Sequence, residues 1–399
     1  MDSAPPVPAT RVTSIDAYRG LVMLLMAGEV LRFGAVAENL PGHAIWAFLH
    51  HHQSHVEWRG CVLHDLIQPS FSFLVGVALP WSIANRQARG DGFGRMFGHT
   101  AWRALVLVLI GVFLRSTHSN QTNWTFEDTL SQIGLGYVFL WLLGWTKPTG
   151  QWIGLAVVLV GYWLLFLLWP LPPGSFDPAA NGVSEKFQRE HWLSGLAAHW
   201  NKNANPAHYF DQWWLNLFPR KQLWTANGGG YVTLSFIPTL GTMILGLIAG
   251  GWLRDSSMSH SRKIQHLLGA GVAGLLFGLL LDATGICPSV KRIWTPSWVL
   301  FSGGWCCLLL AAFYGVCDVR GWRGWAFPFV VVGSNSIFMY CIAHLWDGFF
   351  FRNLKTHLGQ EFWNQLAGPY APFVEGLAVL ALLWLCCYFL WRRRVFVRV

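Results

Sequence analysis

Residues 231–253 read YVTLSFIPTLGTMILGLIAGGWL, a run of 23 positions without an Asp, Glu, Lys or Arg. A helix needs about 20 mostly apolar residues to cross the hydrocarbon core of a bilayer. Because backbone amides cannot be left unpaired in lipid, a segment of this kind crosses the membrane as an α-helix. The stretch therefore predicts a transmembrane helix, and it sets the fold class expected for the rest of the chain.

Nine further segments share this apolar character. Hydrophobic residues make up 53% of the 399 positions and charged residues 12%, whereas a soluble protein carries roughly 25% charged residues. This balance excludes a soluble, disordered or fibrous protein. We predict an all-α, polytopic integral membrane helical bundle of about ten transmembrane helices. They lie at about 14–33, 62–82, 101–118, 129–145, 151–170, 231–253, 265–283, 294–316, 326–346 and 372–391.

The net charge of +9 is carried largely by short loops between the apolar segments. Basic residues follow the second, fourth, sixth, eighth and tenth predicted spans, as the positive-inside rule requires of cytoplasmic loops. Both termini are therefore predicted to be cytoplasmic, and the connections at 34–61 and 171–230 to lie outside the cytoplasm. Since membrane topology explains the excess of basic residues, we expect no nucleic-acid partner.

The chain is predicted to form one transmembrane domain at residues 14–399, preceded by a Pro-rich, disordered cytoplasmic tail at residues 1–13. The outer connection at 171–230 is rich in Trp. Indole faces can stack on sugar rings, but Trp is also enriched at the membrane–water interface, so both interpretations stay open. The Trp residues of this loop are Trp192, Trp200, Trp213, Trp214 and Trp224.

Several ionisable side chains fall inside predicted spans, where a charged group costs about 2.5–3.5 kcal/mol to insert. Asp16 and Arg19 lie three positions apart in the first span and are placed to pair with each other. Glu29, nearer the outer end of that span, either partners a buried Arg or His or belongs to a site. His64 and Asp65 open the second span. Such residues need a protein-lined or hydrated interior, which makes them functional candidates.

Histidines are concentrated just before the second span, at residues 50–55. If this segment is helical, His51 and His55 share a face at i, i+4, a spacing that can bind zinc. The segment lacks the Glu of an HExxH pattern and a second ligand pair, so we expect no metal. A single His, with an unperturbed pKa of about 6.5, is suited to act as a general base near neutral pH.

Two sequence elements resemble those of the heparan-α-glucosaminide N-acetyltransferase family. The first is SIDAYRG at residues 14–20, and the second is HVEWRGCVLHDLIQPSFSFLVG at residues 55–76. Shorter elements follow in the same order: AWR at 101–103, IGLGY at 133–137, KRIWTPS at 291–297 and GSNS at 333–336. Each element is weak alone, but together they extend over essentially the whole chain.

The resemblance implies a transmembrane acyltransferase that moves an acetyl group from cytosolic acetyl-CoA to an amino sugar of the glucosamine type outside the cytoplasm. By residue match, His55 would be the catalytic base, and we expect Asp65 or Glu29 to support it. We expect direct transfer in a ternary complex, with a route through acetyl-His55 as the alternative. The other expected site residues are Arg103, Asn335 and Ser336 for acetyl-CoA, and Trp58, Lys291 and Trp294 for the acceptor.

The chain departs from the family pattern late in the first span, where the family's Asn has no counterpart and Glu29 and Val30 occupy the region. The large luminal amino-terminal domain of the animal enzyme is not seen either, so we expect a compact relative in a bacterial inner membrane rather than a lysosomal one. The resemblance allows a homodimer. A proton-coupled small-molecule transporter is the alternative function, since such carriers also use intramembrane Asp, Glu and His. Whether Cys61 and Cys287 pair stays open.

Overall fold

The computed structural model describes residues 12–397, so most of the predicted amino-terminal tail, residues 1–11, lies outside the described residues. The described part is built from α-helices joined by turns and short 3-10 helices. It contains no β-strand, only one isolated β-bridge between Arg59 and Val290. The helices are α1 (Thr13–Ala27), α2 (Phe33–Asn39), α3 (Ala44–Gln53), α4 (Ile67–Ala88), α5 (Phe93–Ser116), α6 (Thr129–Leu143), α7 (Pro148–Leu167), α8 (Glu185–His191), α9 (Pro206–Trp214), α10 (Phe236–Arg254), α11 (His260–Ala283), α12 (Pro296–Phe313), α13 (Phe327–Gly333), α14 (Ser336–Leu358), α15 (Phe362–Ala367) and α16 (Ala371–Arg392).

Eight helical stretches within residues 12–397 are long and apolar enough to cross a membrane. A ninth is broken, because Gly324–Gly333 and Ser336–Leu358 meet at an angle of 70°. The predicted span at 129–145 corresponds to α6, which has only 15 residues. Every predicted span thus coincides with a helical element, and the polytopic helical membrane fold is confirmed. About ten spans were expected; the described residues contain eight helices of membrane-spanning length, or nine with the bent pair, and the shorter apolar helix α6.

The chain divides into two compact units, which are described separately. In the described residues, the first unit comprises 57–60 and 68–311, and the second comprises 12–56, 61–67 and 312–397. The predicted site residues are divided between them. His55, Asp65, Glu29, Asn335 and Ser336 belong to the second unit, and the first unit holds Arg103, Trp58, Lys291 and Trp294.

In the first unit, α10 lies at the centre of the helix packing. It contacts α6, α7 and α11, and α6 also packs along α5. A side chain at Gly76 of α4 would overlap the main chain of α10 at Met243, so these two helices meet backbone to backbone. Small residues permit this close approach between membrane helices, where dispersion contacts rather than water exclusion hold the pair together.

The Trp-rich connection of the first unit is folded, and most of its indoles are packed. Trp200 is fully buried in a cluster with Trp58 and Phe187, and Trp192 packs against this cluster. Trp213 is the most exposed of the five Trp residues in this connection, at 59%. Most of these Trp residues therefore build the core of the loop. The other two, Trp214 and Trp224, pack against a second cluster around Phe126 and Leu215.

In the second unit, α1 packs against α13 and α14, and α16 packs against α14 and the 3-10 turn Gly28–Leu31. The predicted pair of Asp16 and Arg19 is present, with Arg19 Nη1 3.3 Å from Asp16 Oδ1. Asn335 lies in the break between α13 and α14. Its Nδ2 donates to the carbonyl of Val395 at 3.1 Å, and its Oδ1 accepts from the amide of Val397 at 2.9 Å. The Asn side chain thereby joins the helix break to the carboxyl-terminal segment.

Candidate active site

His55 lies just beyond the end of α3, in a short non-helical segment. The helix ends at Gln53, whose Nε2 donates to the carbonyl of Gly28 at 2.7 Å and whose Oε1 accepts from the amide of Phe33 at 3.1 Å. These two bonds hold the end of α3 against the turn that follows α1. Because the helix stops before His55, the i, i+4 face considered for His51 and His55 does not form.

Asp65 faces His55 from the 3-10 turn Leu63–Leu66. His55 Nδ1 and Asp65 Oδ1 are 2.7 Å apart, and the Asp65 side chain is only 1% exposed. Its Oδ2 accepts from the amides of Val62 at 3.1 Å and Val56 at 3.4 Å. A carboxylate held in this way favours a proton on Nδ1, which places the basic lone pair of the ring on Nε2.

Glu29 and His64 form a second carboxylate–histidine pair beside the first. His64 Nε2 lies 2.8 Å from Glu29 Oε1, and the ring centroids of His64 and His55 are 4.8 Å apart. His64 is buried, whereas the Glu29 side chain is 63% exposed. Two imidazolium ions at this separation would repel each other by about 3 kcal/mol at an effective dielectric constant of about 20. Charging both rings at the same time is therefore energetically costly.

An open cleft of about 490 Å³ lies against both pairs, with His55, His64 and Glu29 in its wall. This volume falls within the range of about 300–1,000 Å³ usual for small-molecule sites. The His55 side chain is 38% exposed, so it is accessible from the cleft. Arg32, also in the wall, is paired with Glu375 at 3.5 Å. Glu29 is joined in the wall by a second carboxylate, Glu38.

The residues expected to bind acetyl-CoA occupy different surroundings. Arg103 donates from Nη1 to the Tyr137 hydroxyl at 2.9 Å, and its guanidinium lies 4.8 Å from the centre of that ring. The AWR and IGLGY elements are thus in contact through these two side chains. Both amide atoms of Asn335 are bonded to residues 395–397, and Ser336 begins α14.

The residues expected to bind the acceptor are buried in the first unit. Trp58 donates from Nε1 to the carbonyl of Trp200 at 3.1 Å, and Trp294 donates from Nε1 to Thr242 Oγ1 at 3.1 Å. Lys291 is buried as well. In this conformation neither indole offers a face to a sugar, so both act in packing. Their acceptor-binding role stays a prediction.

The connection at 171–230 contains two buried ionisable residues that the sequence did not single out. Desolvation lowers the pKa of His208 to about 4 and raises the pKa of Asp211 to about 7. Asp211 Oδ2 accepts from the amide of Thr233 at 2.8 Å, which fixes α9 to the start of the α10 segment. A single polar residue in a loop carries no sequence signal of its burial, and this explains why neither residue was found.

Cys61 and Cys287 are both free thiols, like the other six cysteines. Across residues 12–397, no group of three or more His, Cys, Asp or Glu side chains is arranged to hold a metal ion.

No protein-family model matches the chain. Heparan-alpha-glucosaminide N-acetyltransferase of Homo sapiens is 24% identical over 433 residues, an alignment that covers 98% of this chain and 60% of that protein. The chain is thus similar in sequence to a heparan-alpha-glucosaminide N-acetyltransferase. The Mus musculus protein of that name is 23% identical and covers the same 98% of the chain. The chain spans about three fifths of the length of these curated relatives. The family resemblance inferred from the motifs is thereby confirmed.

Proposed function

We propose that this chain is a transmembrane acetyltransferase that moves an acetyl group from cytosolic acetyl-CoA to an amino sugar of the glucosamine type. The observation that carries the proposal is the His55–Asp65 pair in the wall of an open cleft. It occurs in a chain related over 98% of its length to proteins named as N-acetyltransferases. The proposed membrane is a bacterial inner membrane, with the basic loops on its cytoplasmic face.

In the proposed reaction, the acceptor nitrogen attacks the thioester carbonyl of acetyl-CoA while His55 Nε2 accepts a proton from it. The N–C bond forms, the C–S bond breaks, and the proton passes from His55 to the departing sulfur. Asp65 stabilises the imidazolium because its carboxylate is buried and held by two backbone amides. Positioned base catalysis of this kind contributes about 10²–10⁴-fold to the rate. We propose direct transfer in a ternary complex.

The binding roles are proposed from the contacts of each residue. Arg103 is the proposed phosphate-binding residue for acetyl-CoA, because a guanidinium pairs with phosphate through planar donors. Ser336 is the proposed donor to the thioester oxygen. Asn335 is assigned a positioning role at the start of α14, since its amide is bonded to the carboxyl-terminal segment. The cleft around Glu29 and His55 is the proposed acceptor site.

Proteoliposomes with a trapped, membrane-impermeant glucosamine oligosaccharide and external acetyl-CoA test this function. We expect acetylated oligosaccharide inside vesicles that contain the wild-type chain, and at least about 10²-fold less with His55→Ala of the same thermal stability. In a second experiment, the amino sugar is added outside the vesicles. Its uptake into the vesicles, without any acetylated product, would favour the proton-coupled transporter. Equal acetylation by both proteins would remove His55 as the base.

A further inference from the structure

Acetyl transfer to a protonated amine removes two protons from its nitrogen. The balanced reaction is R–NH3+ + CH3CO–S–CoA → R–NH–CO–CH3 + HS–CoA + H+. One proton ends on the thiol sulfur and the other ends in water. Because an ammonium ion has no lone pair, the first proton must leave before the nitrogen can attack. His55 can account for removal of the second proton. Removal of the first proton requires another base, unless the amine arrives at the site in its neutral form.

In the same cleft, Glu29 and His64 form a pair that can act as the base for the first proton. The Glu29 side chain is 63% exposed in the cleft wall, and its Oε1 lies 2.8 Å from Nε2 of the buried His64. The exposed Glu29 carboxylate attracts an ammonium ion and can accept its proton, and the bond between Oε1 and His64 Nε2 lets the imidazole share the added charge. The pair therefore has both the charge to bind a cationic amine and the capacity to accept its proton.

We propose that Glu29 and His64 remove the first proton from a cationic amine acceptor and release it to the water of the open cleft. His55 and Asp65 then remove the second proton during attack. This inference rests on the proposed function, because it assigns a role within the same transfer reaction. The ring centroids of His64 and His55 are 4.8 Å apart, so repulsion between two imidazolium ions orders the steps. The Glu29–His64 pair must discharge before His55 becomes charged.

Basic and acidic side chains both surround the pair. Arg32 of the cleft wall and Lys355 of α14 each lie 3.5 Å from Glu375 of α16, whose carboxylate offsets part of their charge. His344 of α14 is close enough to act electrostatically on Glu29. The other titratable residues in the cleft wall are Glu38, His50 and His55, and the buried Asp65 contacts His55.

The test compares acetylation of glucosamine by the full chain in detergent at pH 6.5 and pH 9.5. An amine beside electron-withdrawing groups titrates like an α-amino group, with a pKa of about 7.7–8.0. The acceptor is therefore mostly a cation at the lower pH and mostly neutral at the higher pH. We expect Glu29→Gln to lose about 10²-fold in kcat/KM against wild type at pH 6.5, and less than about threefold at pH 9.5. Enzyme-free rates are subtracted at each pH.

Three further variants distinguish removal of the first proton from a general effect on activity. His64→Gln should show the same pH-dependent loss as Glu29→Gln, whereas His55→Ala should lose activity at both pH values. Glu38→Gln removes a second carboxylate from the same wall, and we expect its effect to be equal at both pH values.

A pH-independent loss in Glu29→Gln, or wild-type activity of that variant at pH 6.5, would overturn the proposal. The same holds if Glu38→Gln reproduces the pH dependence of Glu29→Gln. A wild-type chain that transfers no acetyl group at either pH would instead refute the proposed function itself.

Discussion

Asp65→Asn keeps the size of the side chain beside His55 but removes its charge. In the wild type, Oδ1 lies 2.7 Å from His55 Nδ1, while Oδ2 accepts from the amide of Val62 at 3.1 Å. An Asn that keeps its oxygen on the Val62 amide presents its NH2 group to His55. The ring must then accept at Nδ1 and carry its proton on Nε2. The lone pair needed for base catalysis is lost from the nitrogen that we assign as the base.

The magnitude follows from that geometry. A hydrogen bond to a charged group contributes about 1.5–3 kcal/mol, and each 1.36 kcal/mol changes a rate tenfold, so losing the carboxylate costs about 10–150-fold. The change of tautomer adds to this loss. We therefore expect kcat to fall by at least about 10²-fold, with little change in the KM for acetyl-CoA because the donor does not bind through Asp65.

The assay follows acetylation of glucosamine by the purified chain in detergent, together with the thermal unfolding of each variant. Asp255→Asn is the matched control, since it makes the same replacement at a fully exposed residue after α10. We expect the control to keep the wild-type rate. A folded Asp65→Asn variant with wild-type kcat would refute the assignment of Asp65 as the residue that orients His55.

Three further variants test the packing around the site, the carboxyl-terminal segment and the connection at 171–230. Gln53→Ala leaves the carbonyl of Gly28 without its amide donor. We therefore expect the free energy of unfolding to fall by about 1–2 kcal/mol in melting experiments, and kcat to fall in the transfer assay. An unchanged kcat would contradict this expectation. Asn335→Ala removes two bonds to residues 395–397, and faster proteolysis of the carboxyl terminus is expected, whereas an unchanged rate would count against the role of this residue. Burial raises the pKa of Asp211 from its ordinary value of 3.8 to about 7. The stability contributed by the protonated side chain is therefore complete below the unfolded pKa and is lost as the pH rises through the folded pKa. Asp211→Asn should therefore raise Tm relative to wild type more at pH 8 than at pH 5, and equal shifts at both would be inconsistent with this linkage.

The membrane-spanning helices could be predicted from the sequence because a span is defined by a local property, its run of apolar residues. The break between α13 and α14 could not be predicted in the same way. It depends on Asn335, whose side chain binds main-chain groups about 60 residues further along the chain. A hydropathy pattern treats residues 326–346 as one continuous span, since it contains no information on such distant partners.

The candidate site was predictable in part. The pairing of His55 with Asp65 was expected from the motif at residues 55–76, where the two lie ten positions apart. A buried Arg or His was one expected partner of Glu29, but the sequence did not indicate that this partner is His64. The two residues are 35 positions apart and meet because the turn after α1 is tied to the end of α3 through Gln53.

The depth of the tryptophans was the least predictable feature. An indole ring has an apolar body and one N–H group, so the same residue suits a sugar platform, a membrane interface or a protein core. Trp58 and Trp294 were expected at the acceptor site, but each is buried with its N–H bonded within the first unit. Only the surrounding fold decides among these environments.

The central claim, that acetyl transfer takes place at His55, is tested most directly by one comparison. Purified wild type and a His55→Ala variant of equal Tm are incubated with acetyl-CoA and glucosamine, and N-acetylglucosamine is measured by mass spectrometry. We predict product from the wild type and a rate about 10²–10⁴-fold lower from the variant. Equal rates from the two proteins would contradict the assignment of His55 as the base, and no product from either would contradict the proposed reaction.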